Sequence, residues 1–215
     1  YAGGVALNCV ANTELMRYTN FNDIAIQPAA GDAGCALGAA ALVQRPLWEG
    51  PFLGYEDSLQ QNPEEIAYRI LQGEVVCVLN GKAEFGPRSL GNRSMLSLPT
   101  KVNISKLNNI KKRVNDSWRP YAPICLDSVA EEYFDIYHPC YNMLFVAFSD
   151  TDIFRTHDDT ARLQLVNSSK TAFLGKILEI TTAQGHPILI NTSLNTKGNP
   201  IVNTVEDFKN EIKIF

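Results

Sequence analysis

The sequence of 215 residues is poor in histidine and lacks paired cysteines, which argues against disulfide-bonded and zinc-binding proteins. None of its three histidines belongs to an HxxxH pattern, and no CxxC pair is present. We therefore expect reduced, mostly buried thiols of a cytoplasmic protein rather than a disulfide framework or a zinc cluster. The five cysteines are scattered along the chain and are Cys9, Cys35, Cys77, Cys125 and Cys140.

Long apolar runs are also missing from the sequence. No stretch approaches the ~20 consecutive apolar residues that cross a bilayer as a helix, so we expect no membrane span. The sequence begins at Tyr1 without an initiator Met or a signal-peptide pattern, which leads us to expect a piece of a longer protein. A hydrophobic content of 45% with 20% charged residues is ordinary for a chain that builds a packed core.

Positive charge is scarce outside one region. The net charge is −4, yet the stretch 82–119 holds nine of the nineteen lysines and arginines and only two acidic residues, Glu84 and Asp116. A locally positive region on an acidic protein favours a small anionic ligand over a long nucleic acid.

The stretch Gly81–Ser94, GKAEFGPRSLGNRS, which we call the signature loop, concentrates cations among glycines directly after the apolar run Val75–Leu79. Its glycines let the backbone approach a ligand, and its proline restricts the loop. Arg88 and Arg93 offer planar, bidentate donors to phosphate or carboxylate, and Lys82 adds a compact charge. The pattern predicts an ordered anion-binding loop rather than a solvated basic loop.

Alternating strand and helix patterns predict an α/β fold. Helices are predicted over Ala11–Tyr18, Cys35–Gln44, Pro63–Leu71, Asn103–Val114, Val129–Phe134, Ala172–Thr182 and Thr204–Ile212. Strand character is predicted at Tyr1–Leu7, Ile24–Ile26, Val75–Leu79, within Trp118–Leu126, at Met143–Phe148, towards the end of Thr156–Val166 and at Pro187–Ile190. Arg45–Tyr55 has two prolines and two glycines without periodicity, so we place a domain boundary there, between 1–54 and 55–215.

Several polar positions have both an ordinary structural interpretation and a functional one. Asp32 precedes an Ala-rich helix, where helix caps outnumber ligands. Asn191 and Ser193 follow a predicted strand, where they either form a local turn or bond a ligand. The run Lys111–Arg113 is interpreted as a solvated face of its helix.

The signature loop contains EFGPRSLGNRS, which closely resembles the EFGPRALGNRS motif of the O-carbamoyltransferases that act on nodulation factors and on aminoglycoside or cephem antibiotics. Further stretches resemble that family in the same order over nearly the whole chain. They are GGVALNCVAN at Gly3–Asn12, GDAGCALGAA at Gly31–Ala40, WRPYAP at Trp118–Pro123 and NTSLN at Asn191–Asn195.

The resemblance implies two domains. Residues 1–54 would be the C-terminal remnant of an actin-like ATPase (ASKHA) domain, and residues 55–215 a YrdC-like domain whose open twisted sheet has one concave, positively charged face. In the first part, the resemblance places the nucleotide against the GGVALN and GDAG stretches and a metal ion on Asp32. The nucleotide-binding set that it implies is Gly3, Gly4, Asn8 and Gly31.

The resemblance further implies an ATP-dependent O-carbamoyltransferase. Carbamoyl phosphate and ATP would form carbamoyl adenylate, whose carbamoyl group passes to a hydroxyl of a sugar-like or natural-product acceptor. Two phosphorylated substrates repel each other, so fixed cations and Mg²⁺ are expected beside them. The resemblance also implies Fe²⁺ in the actin-like domain, with histidine ligands upstream of this chain, so we expect no complete transfer by residues 1–215 alone. The candidate catalytic set is Lys82, Arg88, Arg93, Arg119, Arg162, Asn191 and Ser193.

The stretch around His157 departs from the family pattern. The family has HVDGTARLQ where this chain has HDDTARLQ, one residue shorter, although the TAR portion with Arg162 is kept. Two other functions remain as alternatives: a YrdC-type threonylcarbamoyl-adenylate synthase, and a non-enzymatic RNA-binding module using the basic stretch. RNA binding would favour aromatic residues between the cations. Only Phe85, Trp118 and Tyr121 lie near them, so we expect an enzyme rather than a partner of nucleic acid.

Overall fold

A computed structural model describes residues 1–45, 47–111, 119–149, 151–154, 156 and 158–212. The α-helices are α1 Cys9–Tyr18, α2 Asp32–Val43, α3 Pro63–Leu71, α4 Lys101–Ile110, α5 Ala172–Ala183 and α6 Val205–Ile212. The strands are β1 Val76–Leu79, β2 Arg93–Ser97, β3 Ala122–Leu126, β4 Ala147–Phe148, β5 Thr160–Ala161, β6 Gln164–Val166 and β7 Leu189–Ser193. Short 3₁₀ helices span Gly4–Leu7 and Ala130–Glu132.

The main sheet has five strands in the order β1-β2-β7-β3-β6. Its neighbours are antiparallel except for β3 and β6, which run parallel. A second ladder pairs β4 with β5. The two ends of the main sheet do not join, so the predicted α/β class with an open sheet is confirmed.

The strands are buried on both faces because period-two alternation sends their side chains into two different clusters. On one face, Leu96 and Ile124 pack with Ile70 of α3 and Ile177 of α5. On the other face, buried residues of the strands pack with α4 and with the segment 130–154. The sheet is therefore a rigid central layer, and its strand ends hold attached loops in fixed positions.

Local sequence signals set the helix starts. Asn62 accepts hydrogen bonds from the backbone of Glu64 and Glu65 at 2.8 and 3.2 Å, ahead of Pro63 at the first helical position of α3. At α6, the Thr204 hydroxyl accepts from the Asp207 N–H, and the Asp207 carboxylate accepts from the Thr204 N–H. This reciprocal pair is the capping box that the sequence predicted.

Three predicted strands are wrong in whole or in part. Residues 1–7 enter a 3₁₀ helix at Gly4–Leu7, and Ile24–Ile26 is extended without a ladder. Of Met143–Phe148, only Ala147–Phe148 joins a ladder. At Val146 and its neighbours, side chains of α1 form the backbone hydrogen bonds that a neighbouring strand would otherwise form.

Smaller corrections concern where elements begin and end. β7 extends through Ser193, so most of the NTSLN stretch belongs to the strand rather than following it. Helix α2 begins at Asp32, three residues before the predicted start. Residues 112–118 of the predicted helix and strand, and His157, lie outside the described residues.

Helix α1 docks on the later part of the chain through two buried polar side chains. Asn12 Nδ2 donates to the Leu144 carbonyl at 2.8 Å, and the Thr13 hydroxyl accepts from the Val146 N–H at 2.9 Å. The two parts of the chain that the sequence separates at residues 54 and 55 are thus joined by specific hydrogen bonds. The division itself stays a prediction.

Helix α2 is apolar around its whole circumference, yet none of its residues is buried. Leu42 and Val43 are 89% and 92% exposed. An α-helix with this composition is normally covered by protein on several sides. None of the described helices combines the length and apolarity that crossing a bilayer requires.

Candidate anion-binding site

The polar candidates of the second part gather at one edge of the main sheet. β1 and β7 end at this edge, whereas β2, β3 and β6 begin there. Ser193, at the end of β7, lies opposite Ser94, the last residue of the signature loop. Arg119 and Arg162 lie just before β3 and β6, respectively. The antiparallel topology therefore brings distant parts of the sequence to a common edge.

Arg93 is the buried centre of the signature loop, with 0% of its surface exposed. Its Nε donates to the Asn203 carbonyl at 3.0 Å. Its two terminal nitrogens donate to the carbonyls of Tyr55, Asp57, Asn80, Gly81 and Asn92 at 3.0–3.3 Å. Burial lowers the pKa of Arg93, and the charges of Glu84 and Asp57 act in the opposite direction. All five N–H donors of the guanidinium are thus occupied by backbone, which gives Arg93 a structural role in this conformation.

Glu84 holds the second half of the signature loop. Its Oε1 accepts hydrogen bonds from the backbone N–H groups of Leu90, Asn92 and Arg93 at 2.6, 2.9 and 3.3 Å. The intervening N–H of Gly91 donates to the Ser94 hydroxyl at 3.1 Å. Burial raises the pKa of the Glu84 carboxyl, although these N–H groups act in the opposite direction.

Arg88 is the half-buried arginine of the signature loop. Its Nη2 donates to the Leu7 carbonyl at 3.1 Å, and its Nε is buried without a hydrogen-bond partner among the described residues. Burial lowers the pKa of Arg88; the charge of Arg119 lowers it further, and Cys9 acts in the opposite direction. Two guanidinium groups that repel each other at this edge favour an anion between or beside them.

A small polar cavity of about 210 Å³ has Arg119, but not Arg88, among the described residues that line it. Three cations line it: Lys111, Arg119 and Lys197. Ser193 and Asn195 lie on the same wall, with the backbone of Thr196–Gly198. At ~30 Å³ per water molecule, the volume equals about seven waters, which suits a small anion better than a nucleotide.

Lys111 is the cation that sequence analysis missed. It is 6% exposed, and its ammonium group donates to the carbonyl and the hydroxyl of Ser193 at 2.5 and 3.0 Å and to Asn195 Oδ1 at 2.7 Å. The interpretation of Lys111 as part of a solvated helix face is therefore wrong. Lys111 lies at the C-terminus of α4, from which its side chain reaches the end of β7. No local pattern in the sequence reveals this contact.

Asn191 lies two residues before Ser193 on β7, so both side chains point to the same face of the sheet. Its Nδ2 donates to the Ser89 carbonyl at 3.1 Å and to Gln164 Oε1 at 2.6 Å. Its Oδ1 is buried and accepts no hydrogen bond from the part of the chain that the structure describes. A buried acceptor of this kind is available to a ligand N–H group.

Lys82 and Arg162 lie further from the cavity than the other predicted cations. Lys82 is exposed in an isolated bridge with Glu56 beyond the end of β1. Arg162 is half-buried before β6 at the other side of the sheet. Each of these outer strands is two positions from β7, which corresponds to ~10 Å at the usual strand spacing. Neither residue lines the 210 Å³ cavity.

The predicted nucleotide-binding residues of the first part form a separate group. The Gly3 N–H donates to the Ala30 carbonyl at 2.9 Å. A Cβ atom on Gly31 would lie 3.9 Å from the Gly4 Cα, so the two glycine stretches are in contact. Asn8 caps α1, since its Oδ1 accepts from the Ala11 N–H at 3.2 Å.

The chain matches two models of known protein families. Residues 67–213 match the carbamoyltransferase C-terminus, and residues 1–41 match the carbamoyltransferase N-terminus. The first match alone covers more than half of the chain. The chain belongs to the carbamoyltransferase family. The predicted resemblance to O-carbamoyltransferases is thereby confirmed.

Named relatives of this carbamoyltransferase family member include nodulation proteins and a cephem O-carbamoyltransferase. It is 36% identical to nodulation protein NolNO of Sinorhizobium fredii, over 96% of this chain and 36% of the relative. It is also 36% identical to nodulation protein NolO of Bradyrhizobium diazoefficiens, over 96% of this chain and 44% of the relative. It is 30% identical to the 3'-hydroxymethylcephem-O-carbamoyltransferase of Amycolatopsis lactamdurans, over 96% of this chain and 44% of the relative. The chain thus spans less than half the length of these relatives.

A crystal structure of full-length HypF in the phosphate- and nucleotide-bound form is a distant structural neighbour. The TM-score is 0.49 with 15% sequence identity, over 74% of this chain and 20% of HypF. This likeness is too weak to assign the fold. The YrdC-like and actin-like assignments stay predictions.

Asp32 does not form a metal site with the other described residues. It is exposed in the first turn of α2. The structure contains no group of three or more His, Cys, Asp and Glu side chains placed to hold a metal ion, within the residues that it describes. A single exposed carboxylate does not fit the ligand set that Fe²⁺ or Mg²⁺ takes in proteins. No reaction step is assigned to a metal in this part of the protein.

Proposed function

We propose that the cavity beside the signature loop binds carbamoyl phosphate, as part of an ATP-dependent O-carbamoyltransferase. The observation that carries the proposal is the convergence of Lys111, Arg119 and Lys197 on a polar cavity of about 210 Å³ at the end of β7. Arg88 adds positive charge next to Arg119. Membership of the carbamoyltransferase family supports a carbamoyl-bearing anion as the occupant.

The two ends of carbamoyl phosphate meet different groups in this proposal. The phosphate is held by Arg88, Arg119 and Lys197 through charge-assisted hydrogen bonds, which are the strong ones. Lys111 contributes its charge alone, because its three N–H donors already bond Ser193 and Asn195. Asn191 Oδ1, which is buried without a partner among the described residues, accepts from the carbamoyl NH₂ group. The Ser193 hydroxyl orients the ester or phosphate oxygen. Arg93 is left out of the ligand contacts because its donors are occupied.

The reaction that we propose uses ATP as the second substrate. Water hydrolyses carbamoyl phosphate to carbamate and inorganic phosphate, and a carbamate oxygen then bonds to the α-phosphorus of ATP as the bond to pyrophosphate breaks. The carbamoyl group of the resulting carbamoyl adenylate then passes to an acceptor hydroxyl, with AMP as leaving group. The fixed cations reduce the repulsion between the two phosphorylated substrates. Gly3, Gly4 and Gly31, which lie together in the first part, are the proposed nucleotide contacts for the transfer step.

Calorimetric titration of carbamoyl phosphate, with and without ATP·Mg²⁺, tests the proposal. We expect Arg88→Ala and Arg119→Ala to weaken carbamoyl phosphate binding ~10- to 100-fold each, the equivalent of one charge-assisted interaction. Arg69→Ala is the matched control, since Arg69 pairs with Glu74 at the surface, 2.7 Å away. Unchanged affinity in both Arg88→Ala and Arg119→Ala, or no binding by the full-length wild type, would refute the proposal.

A further inference from the structure

The signature loop presents a row of backbone N–H groups, and side chains of the same loop accept hydrogen bonds from them. The N–H groups of Leu90, Asn92 and Arg93 all donate to Glu84 Oε1, and that of Gly91 donates to the Ser94 hydroxyl. A glycine-containing loop with consecutive N–H groups turned inward is the usual cradle for a phosphate. Here a carboxylate of the same loop occupies that place.

The opposite side of the same segment is fixed as well. The Ser89 carbonyl accepts from Asn191 Nδ2 at 3.1 Å, and the Leu90 carbonyl accepts from Gln164 Nε2 at 2.8 Å. The Ser89 hydroxyl donates to the Arg93 carbonyl. Residues 89 and 90 are therefore held from both sides, by Glu84 on one and by β7 and β6 on the other.

Arg88 directly precedes residues 89 and 90, which are held by hydrogen bonds on both sides. Only one residue separates Arg88 from Leu90, which forms the shortest of the three contacts to Glu84, at 2.6 Å. Gly91, with φ of +120°, makes the turn that lets Leu90 and Asn92 face the same carboxylate oxygen. Removing the carboxylate would release several N–H groups in the turn and free the backbone that directs Arg88.

We propose that Glu84 is a positioning residue, whose carboxyl oxygen fills the amide cradle of the signature loop and thereby aims Arg88 at the ligand. In consequence, the loop recognises its anion through side chains and not through its backbone amides. Glu84 itself does not touch the ligand. The inference rests on the proposed function insofar as Arg88 is taken to contact a bound anion.

A double-mutant cycle on inorganic phosphate and carbamoyl phosphate binding measures whether Glu84 acts through Arg88. We expect Glu84→Ala to weaken binding about tenfold or more in the wild-type background, as for loss of one charge-assisted contact. In the Arg88→Ala background, the same substitution should change the dissociation constant less than about twofold, because coupled residues are non-additive. Equal weakening in both backgrounds would overturn the proposal.

Two further variants separate positioning from general destabilisation. Glu84→Gln keeps an oxygen acceptor for the three N–H groups, so it should retain most of the binding that Glu84→Ala loses. Glu74→Gln is the matched control, because Glu74 is an exposed partner of Arg69. If Glu84→Gln were as damaging as Glu84→Ala, charge rather than the filled cradle would control the site, and the proposal would fail.

A ligand-free readout keeps this inference separate from the proposed function. Amide hydrogen exchange should show Leu90 and Asn92 protected in the wild type and in Glu84→Gln, and unprotected in Glu84→Ala. The NMR signal of Arg88 Nε–H should shift towards that of a solvated arginine in Glu84→Ala alone. If the wild type bound no phosphate but these signals behaved as expected, the proposed function would fail while the structural role of Glu84 stood. Unaltered exchange and an unaltered Arg88 signal would refute the role of Glu84 itself.

Discussion

The buried ammonium group of Lys111 lies 3.0 Å from the hydroxyl of Ser193 and joins the end of α4 to the end of β7. A third residue, Asn195, accepts from the same ammonium group at 2.7 Å and from the Ser193 hydroxyl at 2.6 Å. The polar groups on this wall of the cavity therefore hold one another in place before any ligand arrives. Preorganisation of this kind lowers the ordering cost of binding.

Lys111→Met should weaken both folding and anion binding. The substitution leaves the Ser193 carbonyl and Asn195 without their charged donor, at a cost of roughly 2–3 kcal/mol in the free energy of unfolding. Urea unfolding measures this cost, and phosphate titration measures the loss of affinity. Lys106→Met on the same helix is the control, since Lys106 is exposed and donates to the Gly73 carbonyl at 3.1 Å. Equal effects of the two substitutions would contradict a special role for Lys111.

Arg93→Met should be among the most destabilising single substitutions in the chain. It would leave six backbone carbonyl contacts unmade in a buried site. A loss of roughly 3–5 kcal/mol follows, as for a broken buried polar network. Chemical denaturation gives the value, and Arg69→Met at the surface should cost less than about 1 kcal/mol. A small effect at Arg93 would mean that the loop does not depend on its guanidinium.

Gly91→Ala should be more damaging than Gly73→Ala, although both glycines have positive φ. A Cβ on Gly91 would lie 2.4 Å from Leu174 Cδ2, whereas a Cβ on Gly73 meets nothing within 4 Å. Positive φ strains an alanine at both positions, with φ of +120° at Gly91 further from the left-handed region than +83° at Gly73. The clash adds roughly 1–3 kcal/mol at Gly91 alone. Thermal or urea unfolding of the two variants compares them directly. Similar losses at the two positions would show that Leu174 moves aside freely.

Thiol labelling should separate the cysteines by burial. The structure shows all five as free thiols, with Cys35 exposed and Cys125 and Cys140 buried. Burial raises the pKa of Cys125 and of Cys140 to about 12, so neither forms the reactive thiolate at pH 8. Mass spectrometry after brief iodoacetamide treatment should find Cys35 modified and these two unmodified until the protein unfolds. Early labelling of Cys125 would contradict the packing of β3.

The titration of Glu84 should make stability depend on pH in an unusual direction for a carboxyl group. Burial raises the pKa of Glu84, so the folded state holds its proton more tightly than the unfolded state. Its contribution to the free energy of unfolding is therefore largest below the ordinary glutamate pKa of ~4.3 and falls as pH rises through the raised pKa. Urea unfolding of wild type and Glu84→Gln across this range should show the wild type losing stability relative to the variant. A wild type that gained stability relative to Glu84→Gln as pH rose would reverse the sign and contradict the burial of this carboxyl.

The sequence predicted which polar segments are candidates for a site, but not the contacts that each side chain makes. The signature loop, Ser193 and Arg119 do meet at one edge of the sheet. Arg88 and Arg93, however, look alike in sequence, and only the tertiary fold decides that Arg93 is buried among carbonyls while Arg88 is half-buried and donates to the Leu7 carbonyl. Lys111 was misjudged for the same reason, because a run of basic residues does not reveal which of them lies beneath a neighbouring strand.

Secondary structure was predicted correctly where local sequence causes it, and it was missed where distant residues cause it. The capping box at Thr204 and the start of α3 at Pro63 are local, and the sequence predicted them. Met143–Phe148 has strong strand character, but most of it is held by Asn12 and Thr13, more than 130 positions earlier. Pairing of that kind depends on chain topology and leaves no periodic trace in either segment.

The docking of α1 on residues 144–146 also limits how this protein can be divided or recombined. A chain cut in the segment 45–55 would keep the whole sheet but strip the Leu144 carbonyl and the Val146 N–H of their partners. Exchange of the N-terminal portion with that of another protein would succeed only where the incoming first helix carries an amide and a hydroxyl at adjacent positions. Any transplanted N-terminal segment therefore has to reproduce the hydrogen bonds of Asn12 and Thr13.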